Sequence, residues 1–271
     1  MKRLLVLLSA FALITCLAVA SNTVNAQEQA AHFYFVQFSD THLGDGRHLE
    51  RSAKIIDAIN ALPMKIEFVA LTGDVFADNI TDKVVADSAK ELLKKIKPPL
   101  HLLPGNHDIL EKDQERTAQQ WMSICGELSS KAEYSGVVCL FLYTEPLRKK
   151  ISIPGYEPLD WLEKKLKEAN GKPVLLFHHA PGVEDFYENK LHPSTWKKEQ
   201  LLRWIEILNA NNVKAVFSGH FHRDEFHWQG NVPLFVSSSV AAYWGRQASF
   251  RIYEYNDGKI SYSTQYIELG N

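Results

Sequence analysis

The chain has 271 residues, of which 45% are hydrophobic and 23% charged, and its formal net charge at pH 7 is −2. This composition is ordinary for a globular protein, and the length is sufficient for one large domain. The sequence has no repeats, no low-complexity tract and no basic stripe, so it gives no indication of a nucleic-acid surface. After residue 26, no apolar run is long enough to span a bilayer.

The N-terminal segment differs in composition from the rest of the chain. Lys2 and Arg3 precede an apolar run over residues 4–20, and Val24-Asn25-Ala26 supplies the small residues that a signal peptidase accepts. We therefore predict a cleaved signal peptide over residues 1–26.

One domain over residues 27–271, in a secreted or periplasmic protein, follows from this interpretation. An uncleaved membrane anchor and a lipid anchor on Cys16 are the alternatives. The apolar run is slightly short for a membrane span, and Thr15 is bulkier than the residue that normally precedes a lipidated cysteine. In an exported protein, Cys125 and Cys139 would remain as an even pair, either as a disulfide or as two buried free thiols.

Strands and helices alternate along the first hundred residues. Short apolar runs that end in turn residues predict buried strands, and apolar residues at helical spacing predict the helices between them. This order indicates a parallel sheet covered by helices. The predicted strands are Phe33–Phe38, Ile66–Leu71 and Leu100–Leu103, and the predicted helices lie over Leu49–Ile59 and Thr81–Ile96.

The second half of the chain is harder to interpret. Residues 110–130 are predicted to be helical but irregular. From Glu225 onward, short strands rich in aromatic and β-branched residues follow one another, and the C-terminal fifth is predicted to be antiparallel. Strands are predicted within 132–143 and over 174–177, 213–217, 226–228, 234–236, 250–255 and 260–266, with helices over 159–166 and 201–208 and a hairpin turn at 256–258.

Five predicted strands end in side chains that commonly bind metals. The carboxyl ends of strands in an open α/β sheet meet at one edge, so we expect these residues to converge. Six of the eleven histidines lie at these ends, which a scatter of core histidines would not favour. The residues are Asp40 and His42, Asp74, Asn106 to Asp108, His178 and His179, and His220 and His222.

Aspartate, histidine and asparagine donors together suit Zn, Mn or Fe. The donors are too many for one tetrahedral ion, and their number suits two ions that share a bridging carboxylate. Such an arrangement binds a phosphoryl group during in-line displacement. We therefore expect two divalent or trivalent transition-metal ions.

The ordered motifs carry a resemblance to a known family. The set is DTH at 40–42, GD at 73–74, GNHD at 105–108, HxP at 179–181 and GHFH at 219–222. Each motif alone is weak, but together and in this order they resemble the calcineurin-like metallophosphoesterase superfamily. The resemblance covers about residues 33–222. It implies an α/β fold of four layers, in which a central β-sandwich of mixed parallel and antiparallel sheets is flanked by helices, with the β-rich tail in the second sheet.

The resemblance also implies a division of roles. One metal would be held by Asp40, His42 and His222, the other by Asn106, His179 and His220, and Asp74 would bridge them. His107 would face the phosphoryl group rather than bind metal, and would stabilise charge or protonate the leaving oxygen. Asp108 could orient the His107 imidazole.

Two positions depart from the commonest family pattern. Many relatives have His-His-Pro where this chain has His178-His179-Ala180-Pro181, so either histidine could be the ligand. Successive strand residues face opposite ways, so only one should reach the metals, and His179 preserves the His-x-Pro spacing. Ala77 stands where the purple acid phosphatase branch has a metal-bound tyrosine, which argues against a tyrosinate-bound ferric ion.

Together with the predicted signal peptide, the resemblance implies an exported binuclear-metal phosphoesterase. It would hydrolyse phosphomonoesters or phosphodiesters, as small phosphoester substrates, by direct attack of a hydroxide that bridges the metals. The oligomeric state stays open. The alternatives are a non-catalytic metal-binding scaffold of the same fold and a mononuclear metallohydrolase acting on amides.

Further loop residues are candidates for substrate contact or for a lid. For each of them, a solvated or packed loop residue is the alternative interpretation. They are Asp45, Arg47 and Arg246 for the substrate, and Phe186, Tyr187 and Trp196 for a lid.

Overall fold

The computed structural model describes residues 31–183 and 196–268. The signal peptide predicted over residues 1–26, and the lid candidates Phe186 and Tyr187, lie outside the described residues. The strands are β1 His32–Phe38, β2 Ile66–Thr72, β3 Leu100–Leu103, β4 Ser130–Tyr134, β5 Val137–Phe141, β6 Val174–Phe177, β7 Val213–Ser218, β8 Glu225–Gln229, β9 Val232–Val236, β10 Ala248–Asn256 and β11 Lys259–Ile267. The α-helices are α1 His48–Asn60, α2 Lys83–Leu93, α3 Gln114–Ile124, α4 Pro158–Ala169 and α5 Lys198–Ala210.

The strands form two mixed sheets. The first has the order β11-β10-β1-β2-β3, in which β1, β2 and β3 are parallel and β10 pairs antiparallel with both β1 and β11. The second has the order β4-β5-β6-β7-β9-β8, with parallel pairing from β5 through β9 and antiparallel pairs at its two edges. The predicted sandwich of mixed sheets is therefore confirmed.

The C-terminal strands correct one expectation. They do not form the second sheet but extend both sheets, since β8 and β9 join the second sheet and β10 and β11 join the first. The reason lies in β1, which is buried along most of its length and would otherwise leave a row of backbone groups unpaired at the sheet edge. Antiparallel pairing with β10 satisfies these groups.

Three apolar layers hold the sandwich together. The middle layer lies between the sheets and is rich in aromatic rings: Phe35 stacks on Phe68 and Tyr253 at centroid distances of 4.9 and 5.0 Å and meets Phe217 edge-on at 5.3 Å. Outside the first sheet, α1, α2 and α3 bury their apolar faces, and outside the second sheet α4 and α5 do the same. The order helix, sheet, sheet, helix gives the four predicted layers.

Cys125 and Cys139 lie in different layers and are free thiols. Cys139 is buried between the sheets, whereas Cys125 packs on the helical side of the first sheet. Burial raises the pKa of both thiols, which keeps them protonated. Of the two alternatives left open by the sequence, the structure therefore shows the pair of free thiols. Among residues 31–183 and 196–268, no helix has the length and apolar character needed to cross a membrane.

The packing of the aromatic layer predicts how one substitution changes the stability of the protein. Replacing Phe35 by alanine removes a fully buried ring and leaves a cavity between the sheets, so we expect a loss of about 3–5 kcal/mol in the free energy of unfolding. Urea denaturation measures it. Val84→Ala is the matched control, because Val84 is 75% exposed on α2, and its effect should stay within about 0.5 kcal/mol. Equal effects of the two substitutions would contradict the assigned packing.

Candidate metal centre

The predicted site residues converge at the carboxyl ends of β1, β2, β3, β6 and β7. Asp40 and His42 follow β1, Asp74 follows β2, and the loop after β7 carries His220 and His222. All five have positive φ angles, between 43° and 71°. Non-glycine residues adopt this left-handed conformation at a cost, and such residues gather at functional sites. The strained backbone therefore indicates that these loops form a functional site.

Two groups of donor atoms form there. Asp40, His42, Asp74 and His222 make up the first donor group, and Asp74, His179 and His220 make up the second. Within each group the candidate ligand atoms all lie within 4.8 Å of one another, and every residue is buried. Asp74 belongs to both groups. The structure thus divides these residues as the sequence predicts, while their binding of metal stays a prediction.

Hydrogen bonds to the backbone orient the donors. His179 donates from Nδ1 to the carbonyl oxygen of Thr72 at 2.8 Å, which directs its Nε2 to within 3.0 Å of Asp74 Oδ2. The backbone N–H of His220 donates to Asp40 Oδ2 at 3.0 Å and leaves Oδ1 of that carboxylate 3.1 Å from His222 Nε2. Fixing one ring nitrogen through a backbone acceptor is a common way to present the other nitrogen to a metal.

The electrostatics of the two groups favour a cation. Burial raises the pKa of Asp40 and Asp74, but the facing histidines, chiefly His222 and His179 respectively, lower both below the usual value. Burial lowers the pKa of His42 to about 4. The charged carboxylates of Asp40 and Asp74 and the neutral imidazole of His42 are the protonation states in which these three side chains bind metals. The pKa of His179 is raised to about 10 because the facing Asp74 outweighs burial, so a metal there would replace a proton.

Unsatisfied atoms test whether a metal fits. Within the described part of the chain, Asp40 Oδ1 and His179 Nε2 are buried and make no hydrogen bond of good geometry, although they lie 3.1 and 3.0 Å from His222 Nε2 and Asp74 Oδ2. Small residues surround them: a Cβ on Gly105 would collide with Asp74 Oδ1, and one on Gly219 would collide with Ser39 and Asp40. Buried ligand-type atoms that face one another without well-formed hydrogen bonds, in loops that leave no space for a further side chain, fit a pair of metal ions.

Asn106 and the second donor group contact the same arginine, Arg148, which the sequence did not indicate. Arg148 donates from Nη2 to Asn106 Oδ1 at 3.1 Å, and the same nitrogen lies 3.4 Å from His220 Nε2. The amide oxygen of Asn106 is therefore close to the second donor group, as predicted. Arg148 lies in an irregular loop after β5 and has no motif around it, so no signal in the sequence pointed to it.

The neighbouring histidines His178 and His179 face opposite ways. The His178 ring packs against Trp196 and Trp204 on the helical side of the second sheet, with centroid distances of 5.7 and 5.1 Å. Burial lowers the pKa of His178 to about 3, so the ring is a neutral core residue. Of the two, only His179 reaches the donor groups, which is the arrangement that strand alternation predicts.

Asp108 does not orient His107, which corrects the predicted role. Its buried carboxylate accepts hydrogen bonds from the backbone N–H groups of Val75, Phe76 and Gly105 at 3.1, 2.7 and 2.7 Å. It thereby ties the loop after β2 to the loop after β3. The aspartate of GNHD has three backbone donors within reach, and these compete successfully with the imidazole.

Asp78 takes the position expected of Asp108. Its Oδ1 lies 2.7 Å from Nδ1 of His107, and the pKa of His107 is raised because Asp74 and Asp78 outweigh the opposing effect of burial. Asp78 has a φ angle of 60° and follows the GD motif by four residues. The sequence offered no reason to select it, since an Asp in a loop is common.

The other loop candidates have mixed outcomes. Arg47 pairs with Glu50 at the exposed start of α1. Asp45 accepts a hydrogen bond from Tyr243, whose ring packs against His42 at 5.0 Å. Trp196 is buried and donates to the carbonyl oxygen of Ala180, so it is a packed residue.

Arg246 lines a cavity of about 870 Å³. Trp244 forms part of its wall and meets the His222 ring edge-on at a centroid distance of 5.0 Å. Arg223, Asp224 and Tyr266 also contribute, so the lining combines charged groups with aromatic rings. Its size suits a small organic molecule.

A four-layer α/β sandwich with two buried donor groups that share one aspartate defines a class, the metal-dependent hydrolases of phosphoric esters. The sequence comparison gives the family. The sequence model of the calcineurin-like phosphoesterase family matches residues 33–224, and the chain belongs to this family.

Several proteins are similar over most of the chain. The serine/threonine-protein phosphatase CPPED1 of Mus musculus is 25% identical over 259 residues, which cover 84% of this chain and 81% of that protein. The probable glycerophosphodiester phosphodiesterase GpdQ of Arcobacter nitrofigilis is 32% identical over 201 residues, covering 69% and 71%. A dimetal phosphatase from Danio rerio superposes with a TM-score of 0.61 at 12% identity over 86% of this chain and 98% of its own, which shows the shared fold.

The different surroundings of Asp108 and Asp78 predict different effects of mutation. Asp108→Ala leaves three backbone N–H groups without their acceptor, so we expect the free energy of unfolding to fall by about 2–5 kcal/mol. Asp78→Asn changes an exposed side chain and should leave unfolding close to that of the wild type, while it lowers turnover because His107 loses its anionic partner. Urea denaturation and a phosphoesterase assay measure the two effects. If Asp78→Asn destabilised the protein as much as Asp108→Ala, the assigned roles would be wrong.

Proposed function

We propose that this chain hydrolyses phosphomonoesters or phosphodiesters at two metal ions that share Asp74. The observation that carries the proposal is the pair of buried donor groups with Asp74 in common. A shared carboxylate suits two ions roughly 3.5–4 Å apart, the separation used in phosphoryl transfer. The first ion would be held by Asp40, His42 and His222, and the second by Asn106, His179 and His220, with Asp74 between them.

Bound ions would supply an activated water and neutralise charge on the phosphoryl oxygens. The identity of the ions within Zn, Mn and Fe is left to measurement, because all three accept this mixture of nitrogen and oxygen donors.

His107 contributes the proton chemistry of this proposal. Asp78 holds its Nδ1, so the opposite nitrogen, Nε2, is available to the substrate. The raised pKa of His107 favours the imidazolium form, which donates a hydrogen bond to a phosphoryl oxygen or a proton to the leaving oxygen. Its ring lies 4.9 Å from that of His42, which places it beside the first donor group.

The cavity next to His222 would take the organic part of the substrate. Its aromatic and charged lining accommodates an alcohol group larger than a methyl or ethyl ester. The relatives carry names of both phosphomonoesterases and phosphodiesterases, which supports a centre that accepts either ester type.

A scaffold without activity, and a mononuclear amide hydrolase, remain the competing functions. A scaffold would have no use for His107 held by Asp78 beside the donors. An amide hydrolase with one ion would have no use for the second donor group. Turnover of bis-p-nitrophenyl phosphate by metal-loaded protein, with no turnover of peptides or lactams, separates the three functions.

Removal of Asp74 and removal of His107 should have distinct effects. Asp74→Ala takes the common donor from both groups, so we expect loss of both ions and of all activity. His107→Ala removes no donor and should leave the metal content near that of the wild type while turnover falls by about 10²- to 10⁴-fold. Elemental analysis of the purified protein and a phosphodiester assay measure these outcomes.

His32→Ala serves as the control, since His32 lies on the surface at the start of β1. It should change neither metal content nor turnover. An empty site in His107→Ala would contradict the division between ligands and catalyst.

We further propose that the chain is exported and that residues 1–26 are removed. The composition of the N-terminal segment supports this, with two basic residues before an apolar run and small residues at its end. Expression of the full chain in a bacterium with a periplasm, followed by N-terminal sequencing, should give a protein that begins at Gln27. Recovery of protein that still begins at Met1 from the membrane fraction would favour the uncleaved anchor.

A further inference from the structure

A buried arginine lies directly against the second donor group. The Arg148 side chain is 6% exposed, and the structure places its Nη2 3.1 Å from Asn106 Oδ1 and 3.4 Å from His220 Nε2. The other end of the guanidinium is held by Glu145, whose fully buried carboxylate accepts from Nε at 2.9 Å. Arg148 is therefore anchored on one side and aimed at predicted metal donors on the other.

This position is unfavourable for a residue with only a structural role. A guanidinium keeps its charge under all ordinary conditions, and a fixed cation beside a metal site repels the metal. The single negative charge of Glu145 balances Arg148 alone. Two metal ions placed next to this pair would add positive charge, and among the seven predicted ligands only Asp40 and Asp74 carry negative charge. An anionic ligand at the site would compensate the excess.

The hydrogen bonds of Arg148 lead to the same conclusion. Its Nη2 faces Asn106 Oδ1 and His220 Nε2, which are the atoms that the second ion would take. A metal on His220 Nε2 would take the one lone pair of that nitrogen, whereas Asn106 Oδ1 has a second lone pair. The N–H of Nη2 that faces His220 then needs another acceptor, because a buried donor without one costs about 1–3 kcal/mol. The oxygen of a phosphoryl group next to the ion satisfies that need, and arginine is well suited to phosphate because its planar fork matches the oxygens.

We propose that Arg148 binds a non-bridging oxygen of the substrate's phosphoryl group, and that Glu145 is a positioning residue that holds the guanidinium in place. This inference rests on the proposed phosphoesterase function. It assigns to the loop after β5, which carries no family motif, a direct part in recognising the charge of the substrate.

The test compares Arg148→Met and Arg148→Lys with the wild type after reconstitution with metal. Arg148→Met removes the charge at similar length, so we expect inorganic phosphate to bind about 10- to 100-fold more weakly by calorimetry. We expect the kcat/KM for bis-p-nitrophenyl phosphate to fall by about 10²-fold, as it does when one donor to a developing charge is lost. Arg148→Lys keeps the charge without the planar guanidinium and should recover part of the phosphate affinity and part of kcat/KM. Metal content should stay at the wild-type value throughout.

Glu145→Gln tests the positioning role. It keeps the shape of the side chain but weakens its hold on Arg148, so phosphate should bind more weakly than to the wild type and more tightly than to Arg148→Met. Combined with Arg148→Met, it should add no further loss of phosphate affinity, because both changes act through the same guanidinium. Additive losses would overturn the positioning role.

Arg203→Met is the matched control, since Arg203 pairs with Asp160 and Glu163 on the surface. It should leave phosphate affinity and turnover unchanged. Thermal denaturation identifies variants that fail to fold, and partial recovery in Arg148→Lys keeps the test valid if Arg148→Met is unstable.

Three results would overturn the inference in different ways. Wild-type phosphate affinity in Arg148→Met, together with reduced metal content, would show that Arg148 only supports Asn106. A wild-type protein that holds metal and hydrolyses the ester, with Arg148→Met equal to it in every measurement, would overturn the inference and leave the proposed function intact. A wild-type protein that binds neither metal nor phosphate would overturn the proposed function and the inference together.

Discussion

The carboxylate of Asp74 is the group on which the rest of the site depends. It is almost fully buried, and its Oδ1 accepts a hydrogen bond from the backbone N–H of His107 at 2.8 Å while its Oδ2 lies between His179 and His42, at 3.0 and 3.8 Å. Burial of a charge without compensation is costly, so nearby groups have to supply positive charge or hydrogen-bond donors. The adjacent glycines and the surrounding histidines follow from this single requirement.

The ends of the parallel strands were predictable from the sequence, because each buried strand is a short apolar run and each run stops at a polar turn. That regularity identified Asp40, Asp74 and His220 as neighbours although they are distant in the chain. Strand alternation also selected between His178 and His179. These inferences use periodicities of the backbone, which the sequence carries directly.

The contacts of Arg148, Asp78 and Asp108 were not predictable in this way. Arg148 reaches the site from an irregular loop, and its partners are fixed only when the two sheets pack together. The GNHD motif is the same whether Asp108 orients His107 or binds backbone N–H groups. Only the folded loops show that backbone N–H groups surround its carboxylate. The division of the C-terminal strands between the sheets likewise depends on which edge is left unpaired, which is a property of the assembled fold.

The pairing of β1 with β10 has a consequence for how the chain folds. The register joins His32 to Asn256 and Gln37 to Arg251, so the earliest strand in the described chain is bordered by one of the last. Contacts between such distant segments form slowly, because a very long loop has to close first. The first sheet is therefore completed only after β10 has been synthesised, and until then a nascent chain emerging from the ribosome leaves this edge of β1 without its partner.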